Sequence, residues 1–431
     1  MVIKKFDYTA ISDDCVKCGK CKPVCTIFNI NQDEATSPRG FIDLLGAYKR
    51  DELELDKTAK DIFESCFLCT NCVEVCPNDL PTDMIIEQVR SDIAKKFGIA
   101  WYKRLFFFLL RHRKIMDFMS KLGYMFQTCG IKINEEKQSA TPRFSLPIVK
   151  KNRALPYADS ISFLNKYPEN MKFSKNIDDI KKNRVAIFIG CMSNYTYTNT
   201  GDSLVKILKK LELDIFIPKK QLCCGAPAYF TGAFDTVDYL TKKNIEYFES
   251  WIDSVDAVII PEATCSAMIN KDWEHYLHDQ PEWKERAIKL SNKIFLATKW
   301  LENNTKLKEL LAKSGKKFDQ MVTYHDPCHA KKMQNVWKEP RELLKQNYVL
   351  KEMSDSNRCC GFGGVTMQTE KYDFAKAAGA PKAAMIRDTK AQIVSAECSA
   401  CRMQITNSLH LANVDVQFKN PIELIAEALE N

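Results

Sequence analysis

The sequence predicts an α+β chain in which a small, mainly helical, cysteine-rich N-terminal domain precedes two α/β units related by duplication. Three observations predict it. Eight cysteines fall in two copies of one four-cysteine run before residue 77. From residue 184, short apolar runs of strand type alternate with amphipathic helical stretches. Within that second stretch a cysteine pattern occurs twice at nearly the same spacing.

A length of 431 residues allows two or three domains with hydrophobic cores of their own. The net charge of +8 is modest, and its basic residues are spread along the chain. That balance fits an acidic partner or a membrane surface and argues against a nucleic-acid footprint. Cysteine usage is the outlier, because 17 of the 18 stand in patterned positions. Met1–Ala10 carries Lys4, Lys5 and Asp7 and lacks the apolar core of a secretory signal. A long intracellular chain with clustered cysteines favours metal ligation over disulfides. No apolar run approaches the ~18–20 residues of a spanning helix, so the expected location is cytoplasmic, with room for a contact at the inner face of the membrane.

The first domain covers residues 1–100. Ser37-Pro38 opens a helical pattern in which Phe41, Leu44, Leu45 and Tyr48 recur, and a second helix runs from Asp83 to Phe97. Residues 101–183 form a linking region. It begins with an aromatic and basic stretch, Leu105–Leu110 flanked by Lys103, Arg104, Arg111 and Arg113, and turns polar and partly irregular from 128. The basic stretch reads either as a helix lying on a membrane or partner or as a core helix. Cys129 stands alone and is most simply a buried thiol.

Residues 184–315 and 316–431 are the two α/β repeats. In the first, Val185–Ile189 is a buried strand ending at Gly190-Cys191, and Asp202 or Ser203 caps a helix bearing Leu204, Ile207, Leu208 and Leu211. Val258–Ile260 is a further strand. In the second, Val322–Tyr324 runs into Cys328, and Ile393–Ser395 into Cys398. Cys191 precedes Cys223-Cys224-Gly225 by 32 residues, and Cys328 precedes Cys359-Cys360-Gly361 by 31. A strand and more cysteines follow each doublet: Cys265 in one repeat, Cys398 and Cys401 in the other. Loops after strand C-terminal ends are where α/β units gather ligands.

The N-terminal cysteines Cys15, Cys18, Cys21 and Cys25 follow C-x2-C-x2-C-x3-C, and Cys66, Cys69, Cys72 and Cys76 repeat it. Three thiolates at this spacing wrap one face of a cubane while the fourth reaches the neighbouring cluster. On that logic Cys15, Cys18, Cys21 and Cys76 hold one 4Fe–4S cluster, and Cys66, Cys69, Cys72 and Cys25 the other. Thr26 stands where such motifs usually carry proline, which alters a turn but removes no ligand. A pair of zinc sites is the competing reading, disfavoured by two copies of one four-cysteine run.

The segments GCMSNY, CCGAPAYF, HDPCHAKK, CCGFGG and ECSACR resemble the paired cysteine-rich domains of heterodisulfide reductase catalytic subunits. Similar domains occur in iron–sulfur subunits of glycolate, lactate and anaerobic glycerol-3-phosphate dehydrogenases, which the SPRGFIDLL stretch resembles most in its glycolate and lactate members. The resemblance implies a non-cubane cluster at Cys328, Cys359, Cys360, Cys398 and Cys401, with Cys359 and Cys360 central to activity. Five thiolates exceed what one cubane needs, and a structural zinc held by four of them is the alternative. The first repeat keeps Cys191, Cys223, Cys224 and Cys265, but Met268 occupies the place of Cys401. Either it holds a simpler cluster or it is a vestigial fold partner. His325 and His329 flank Cys328, where they either tune a cluster or simply pack.

No G-x-G-x-x-G fingerprint, flavin domain or hydrolytic triad signal is present, so substrate oxidation needs a partner. The resemblance implies a subunit of an oxidoreductase complex that passes electrons from a flavoprotein dehydrogenase subunit to a quinone or similar acceptor. The competing class is a thiol–disulfide enzyme that uses the doubled-cysteine site directly.

Overall fold

The computed structural model describes residues 8–145, 149–174 and 184–430. The opening Met1–Asp7, part of the segment read for a secretory signal, lies outside the described residues, as do stretches of the expected linker. The chain divides into two compact units that interleave in sequence. The smaller comprises Met1–Phe108, Gly225–Asp238 and Cys359–Pro381, and the larger Leu109–Cys224, Tyr239–Arg358 and Lys382–Asn431. The chain thus enters the smaller unit at the glycine after one cysteine doublet and at the first cysteine of the other.

In the smaller unit the helix Pro38–Lys49 starts where the sequence signals it. Ser37 is extended and its Oγ accepts the Gly40 N–H at 3.0 Å, with Pro38 in the first turn. The helix Lys57–Glu64 is capped by Asp56, which accepts the Ala59 N–H at 2.7 Å. A third helix, Thr82–Phe97, starts one residue before the expected Asp83. Phe41, Leu45, Phe63, Ile85, Ile86 and Val89 close a core that also takes in Cys25, Cys69 and Cys359. Asn71 donates to the Val24 carbonyl at 2.8 Å and Asn78 to that of Asp14 at 2.7 Å, so each cysteine run is tied to the other.

The larger unit carries two parallel sheets of one design. The first has β1 (Arg184–Ile187), β2 (Asp214–Phe216), β3 (Ala257–Ile260) and β4 (Ile294–Leu296) in the order β2-β1-β3-β4. The second has β5 (Phe318–Tyr324), β6 (Tyr348–Leu350), β7 (Ile393–Ser395) and β8 (Gln417–Lys419) in the order β6-β5-β7-β8. The same order in both sheets is the duplication expressed as topology. Side chains from both sheets, among them Val185, Ile259, Val322 and Ile393, join one core. The helix Thr198–Lys210 packs on the helix Pro421–Leu429, and the buried pair Arg402–Glu423 closes at 2.7 Å beside it.

Two expectations need correction. The helix bearing Leu204 and Leu208 starts at Thr198, because the Asp159 carboxylate accepts the Thr198 N–H at 3.1 Å and its hydroxyl at 2.8 Å. Neither Asp202 nor Ser203 caps it. Cys129 is exposed, since it lies on the outward face of the helix Arg113–Gly130. The described part of the linking region, partly irregular as expected, also carries regular elements. It supplies a hairpin, Ile131–Asn134 with Ser139–Pro142, and a short strand, Asn170–Met171, antiparallel to β2. It also places Phe163 fully in the core.

Candidate iron–sulfur sites

In the smaller unit Cys66, Cys69 and Cys72 line a cavity with Cys25, beside Ile27, Phe41, Phe67 and Leu68. A second cavity is lined by Cys15, Cys18 and Cys21 with Cys76, and Cys72 reaches it too. The fourth cysteine of each run therefore lines the cavity of the other. Burial pushes the thiol of Cys66 up to about 12 and those of Cys25 and Cys72 up as well, with neighbouring thiols adding to the rise. Such crowded sulfurs suit a cation that takes them as thiolates. Soft thiolate sets in fours fit iron–sulfur clusters. Two residues outside the motif bear on this site. The Thr26 hydroxyl lies 3.5 Å from Cys69 Sγ. The fully buried Arg90 donates to the carbonyls of Cys66 at 2.7 Å and Phe230 at 2.9 Å, fastening the ligand loop to the segment after the first doublet.

The larger unit sets its cysteines at strand-to-helix turns. Cys191 follows β1 and Cys265 follows β3, and the strand order reverses between those neighbours, the switch point at whose strand C-termini open α/β sheets place ligands. Cys224 Sγ lies 3.5 Å from Cys265 Sγ, and a Cβ at Gly190 would stand 2.8 Å from Cys265 Sγ. A Cys223 hydrogen bond and burial raise Cys191 well above the usual thiol range. Cys265, although hydrogen-bonded by Cys224, is pushed up to about 11 by burial. All four expected sulfurs of the first repeat are thus gathered, in a cradle only glycine permits. Met268 is fully buried and opens a π-helical segment, Met268–Asp272.

In the second repeat Cys328 follows β5 and Cys398 follows β7. Cys398 caps the helix Ser399–Leu411, its sulfur accepting the Cys401 N–H at 3.4 Å, and Thr264 Oγ1 lies 3.4 Å away. The Cys401 side chain and this helix start hold the Cys398 thiol down at about 7 despite burial. His329 Nδ1 is 3.5 Å from Cys328 Sγ. His325 has Nδ1 3.1 Å from the Ser356 carbonyl, while its buried Nε2 finds no partner among the described residues. One ring nitrogen of His325 is within 4.8 Å of Cys401 Sγ. Cys359 and Cys360 are buried and open the Cys359–Pro381 segment of the smaller unit, where Gly361 donates to Cys359 Sγ at 3.4 Å.

The loops of the two repeats clasp each other. Ser399 of the second donates its N–H and its hydroxyl to Glu262 of the first, at 2.7 and 2.6 Å. Ala263 of the first donates to the Glu397 carbonyl at 2.7 Å. Burial keeps both carboxyls above their usual range, Glu397 at about 8. Sequence reasoning missed Glu262, Thr264 and Glu397, although each stands within three residues of a ligand candidate.

Fold and sites define an iron–sulfur electron-transfer protein built from a dicluster domain and a doubled cysteine-rich domain. Residues 11–80 match the 4Fe-4S dicluster domain, and residues 185–270 and 322–406 each match the cysteine-rich domain. The chain is a homologue of iron–sulfur subunits of oxidoreductase complexes. It is 29% identical over 401 residues to a Bacillus subtilis protein named a probable glycolate oxidase iron-sulfur subunit, covering 91% of this chain and 88% of the relative. A fumarate reductase (CoM/CoB) subunit from Methanothermobacter marburgensis is 27% identical, over 98% of this chain and 74% of the relative. Lactate utilization protein A of Bacillus subtilis is 28% identical over 56% of this chain and 98% of its own length. A crystal structure of a hypothetical protein from Helicobacter pylori shares the fold, with TM-score 0.53 at 10% identity, covering 99% of this chain and 77% of that one. Among the described residues no helix is long and apolar enough to cross a membrane.

Proposed function

We propose that the chain is the electron-transfer subunit of a flavoprotein dehydrogenase acting on glycolate, lactate or glycerol-3-phosphate, and that it delivers electrons to a quinone or similar acceptor at the inner face of the cytoplasmic membrane. The observation that carries the reading is the exchange of fourth cysteines, with Cys25 lining the cavity of the second run and Cys76 that of the first. It supports two neighbouring 4Fe–4S clusters, held by Cys15, Cys18, Cys21 and Cys76 and by Cys66, Cys69, Cys72 and Cys25. When bound, such clusters supply one-electron transfer. The chain's own part is to hold them, the one at Cys66, Cys69, Cys72 and Cys25 beside Ile27, Phe41, Phe67 and Leu68, and the other nearer solvent, where Cys18 is exposed. We assign the second repeat, Cys328, Cys359, Cys360, Cys398 and Cys401, to a non-cubane cluster, and Cys191, Cys223, Cys224 and Cys265 of the first to a simpler one. The corresponding domains are 1–100, 184–315 and 316–431, joined by 101–183.

The clasp between Thr264, Glu262, Cys398 and Ser399 also favours a second reading, disulfide cleavage between two adjacent sites. Anaerobic purification from the native host separates the two. The expected result is a co-purifying flavoprotein whose substrate reduces the complex, with Cys360→Ser abolishing transfer to the acceptor while leaving the flavin reducible. Intact transfer in Cys360→Ser would remove the second repeat from the path. A chain that arrives alone and reduces a disulfide makes the thiol enzyme the better account.

A further inference from the structure

The helix Arg113–Gly130 is amphipathic with its faces reversed. Its polar side chains hold it to the protein. Asp117 accepts from the Tyr195 hydroxyl at 2.7 Å, Gln127 pairs with both the N–H and the carbonyl of Ala158 at 3.0 and 3.1 Å, and Arg113 donates to the Lys219 carbonyl. At about 100° per residue these three fall within an arc of about 80°. The opposite arc, about 120° wide on the same count, presents Ile115, Phe118, Met119, Leu122, Met125 and Phe126. Each is at least 38% exposed, and Phe118, Met125 and Phe126 are 65%, 63% and 60% exposed. None of the helix's residues is buried. The Leu105–Leu110 stretch is the weaker candidate for a surface contact, because Phe107 and Leu110 are buried.

We infer that this helix lies flat in the headgroup region of an anionic lipid bilayer, with the apolar arc inserted. Charge selects that occupant. Lys114 and Lys121 line one border of the arc, and across residues 111–132 Arg111, Arg113, Lys114, Lys121 and Lys132 face a single acid, Asp117, which is turned inward to Tyr195. One sign of charge beside a convex apolar stripe complements anionic headgroups rather than a mixed-charge protein surface. The helix spans about 27 Å, long for a small patch and too polar to cross. Its first turn supplies Arg113 and Met116 to a pocket shared with Cys191 and Cys223. Seating the helix in lipid therefore brings the first cysteine site to the bilayer side, a consequence that rests on the quinone reading above.

The test floats the anaerobically purified full-length chain with vesicles of phosphatidylcholine alone or with phosphatidylglycerol added. Binding is expected only to the anionic vesicles. Phe118→Ser/Leu122→Ser/Phe126→Ser and Lys114→Glu/Lys121→Glu should each weaken it about tenfold or more, with iron content unchanged. Transfer from the flavoprotein to a water-soluble acceptor is measured on the same variants and should stay intact. A native chain that ignores anionic vesicles, or a triple-serine variant that binds as the native one does, overturns the proposal. So does a triple-serine variant that loses the flavoprotein instead of the vesicles, because the face is then a protein interface. Loss of transfer with vesicle binding intact counts against the electron-transfer reading and leaves this one standing.

Discussion

Thr26 shows how much a single side chain can carry beyond what its motif reveals. Read in sequence, it replaces a turn proline and removes no ligand. In the fold its hydroxyl lies 3.5 Å from Cys69 Sγ, and a thiolate there can only accept. A donor to a cluster sulfur stabilises the more negative, reduced state and so raises the potential. Thr26→Val should lower the potential of the cluster beside Cys69 by about 40 mV, taking the bond as about 1 kcal/mol for a one-electron couple. Thr26→Ser should restore it. An EPR-monitored redox titration reads both, and an unmoved potential in the valine variant would show that the contact does no tuning. His325 makes the same point. Its adjacency to the Cys328 loop was legible, but not the Nδ1 contact to Ser356, the buried Nε2 without a partner among the described residues, or the approach of one ring nitrogen to Cys401. Cys129 was misread for the opposite reason. A lone cysteine is usually buried, and only the reversed helix exposes it.

Among the elements, legibility followed the distance over which each start signal acts. Ser37 caps its own helix three residues on, so the start at Pro38 could be read locally. The helix Thr198–Lys210 takes its cap from Asp159, 39 residues earlier, where local signals point to Asp202 instead. Asp202 pairs with Lys166 on the surface. Asp159→Ala should therefore destabilise the larger unit by about 1 kcal/mol, whereas Asp202→Ala leaves that cap in place. Thermal unfolding should separate the two variants by about 2 °C, and equal midpoints would return the cap to Asp202. Each doublet is followed by a glycine in the left-handed region. Gly225 and Gly361 have φ values of 98° and 89°, and a Cβ at Gly361 would sit 2.8 Å from that of Ala378.

At the scale of the whole molecule the duplication was readable from cysteine spacing alone, and the matching strand orders express it in space. The clasp between the repeats was not readable, because it depends on where two loops 134 residues apart meet, as Thr264 and Cys398 do. The clasp bears on the first repeat, whose loss of one cysteine left its occupancy open. A vestigial site has no need to keep four sulfurs together, three of them on buried residues, yet Cys224 and Cys265 lie 3.5 Å apart and Gly190 admits no side chain beside them. Burying thiols that raise one another's pKa is a cost a vestigial site would shed, and a bound cluster removes it. Cys191→Ser should then lower the iron content of anaerobically prepared protein by about four atoms per chain. Cys129→Ser, which alters the exposed cysteine of the surface helix, should leave it unchanged. The two cubanes proposed for the N-terminal cysteines should keep their EPR signals in both variants, so a loss confined to Cys191→Ser assigns the missing iron to the first repeat. Equal iron in native and Cys191→Ser protein would mean that the four thiols serve only to hold the second repeat's loop in place.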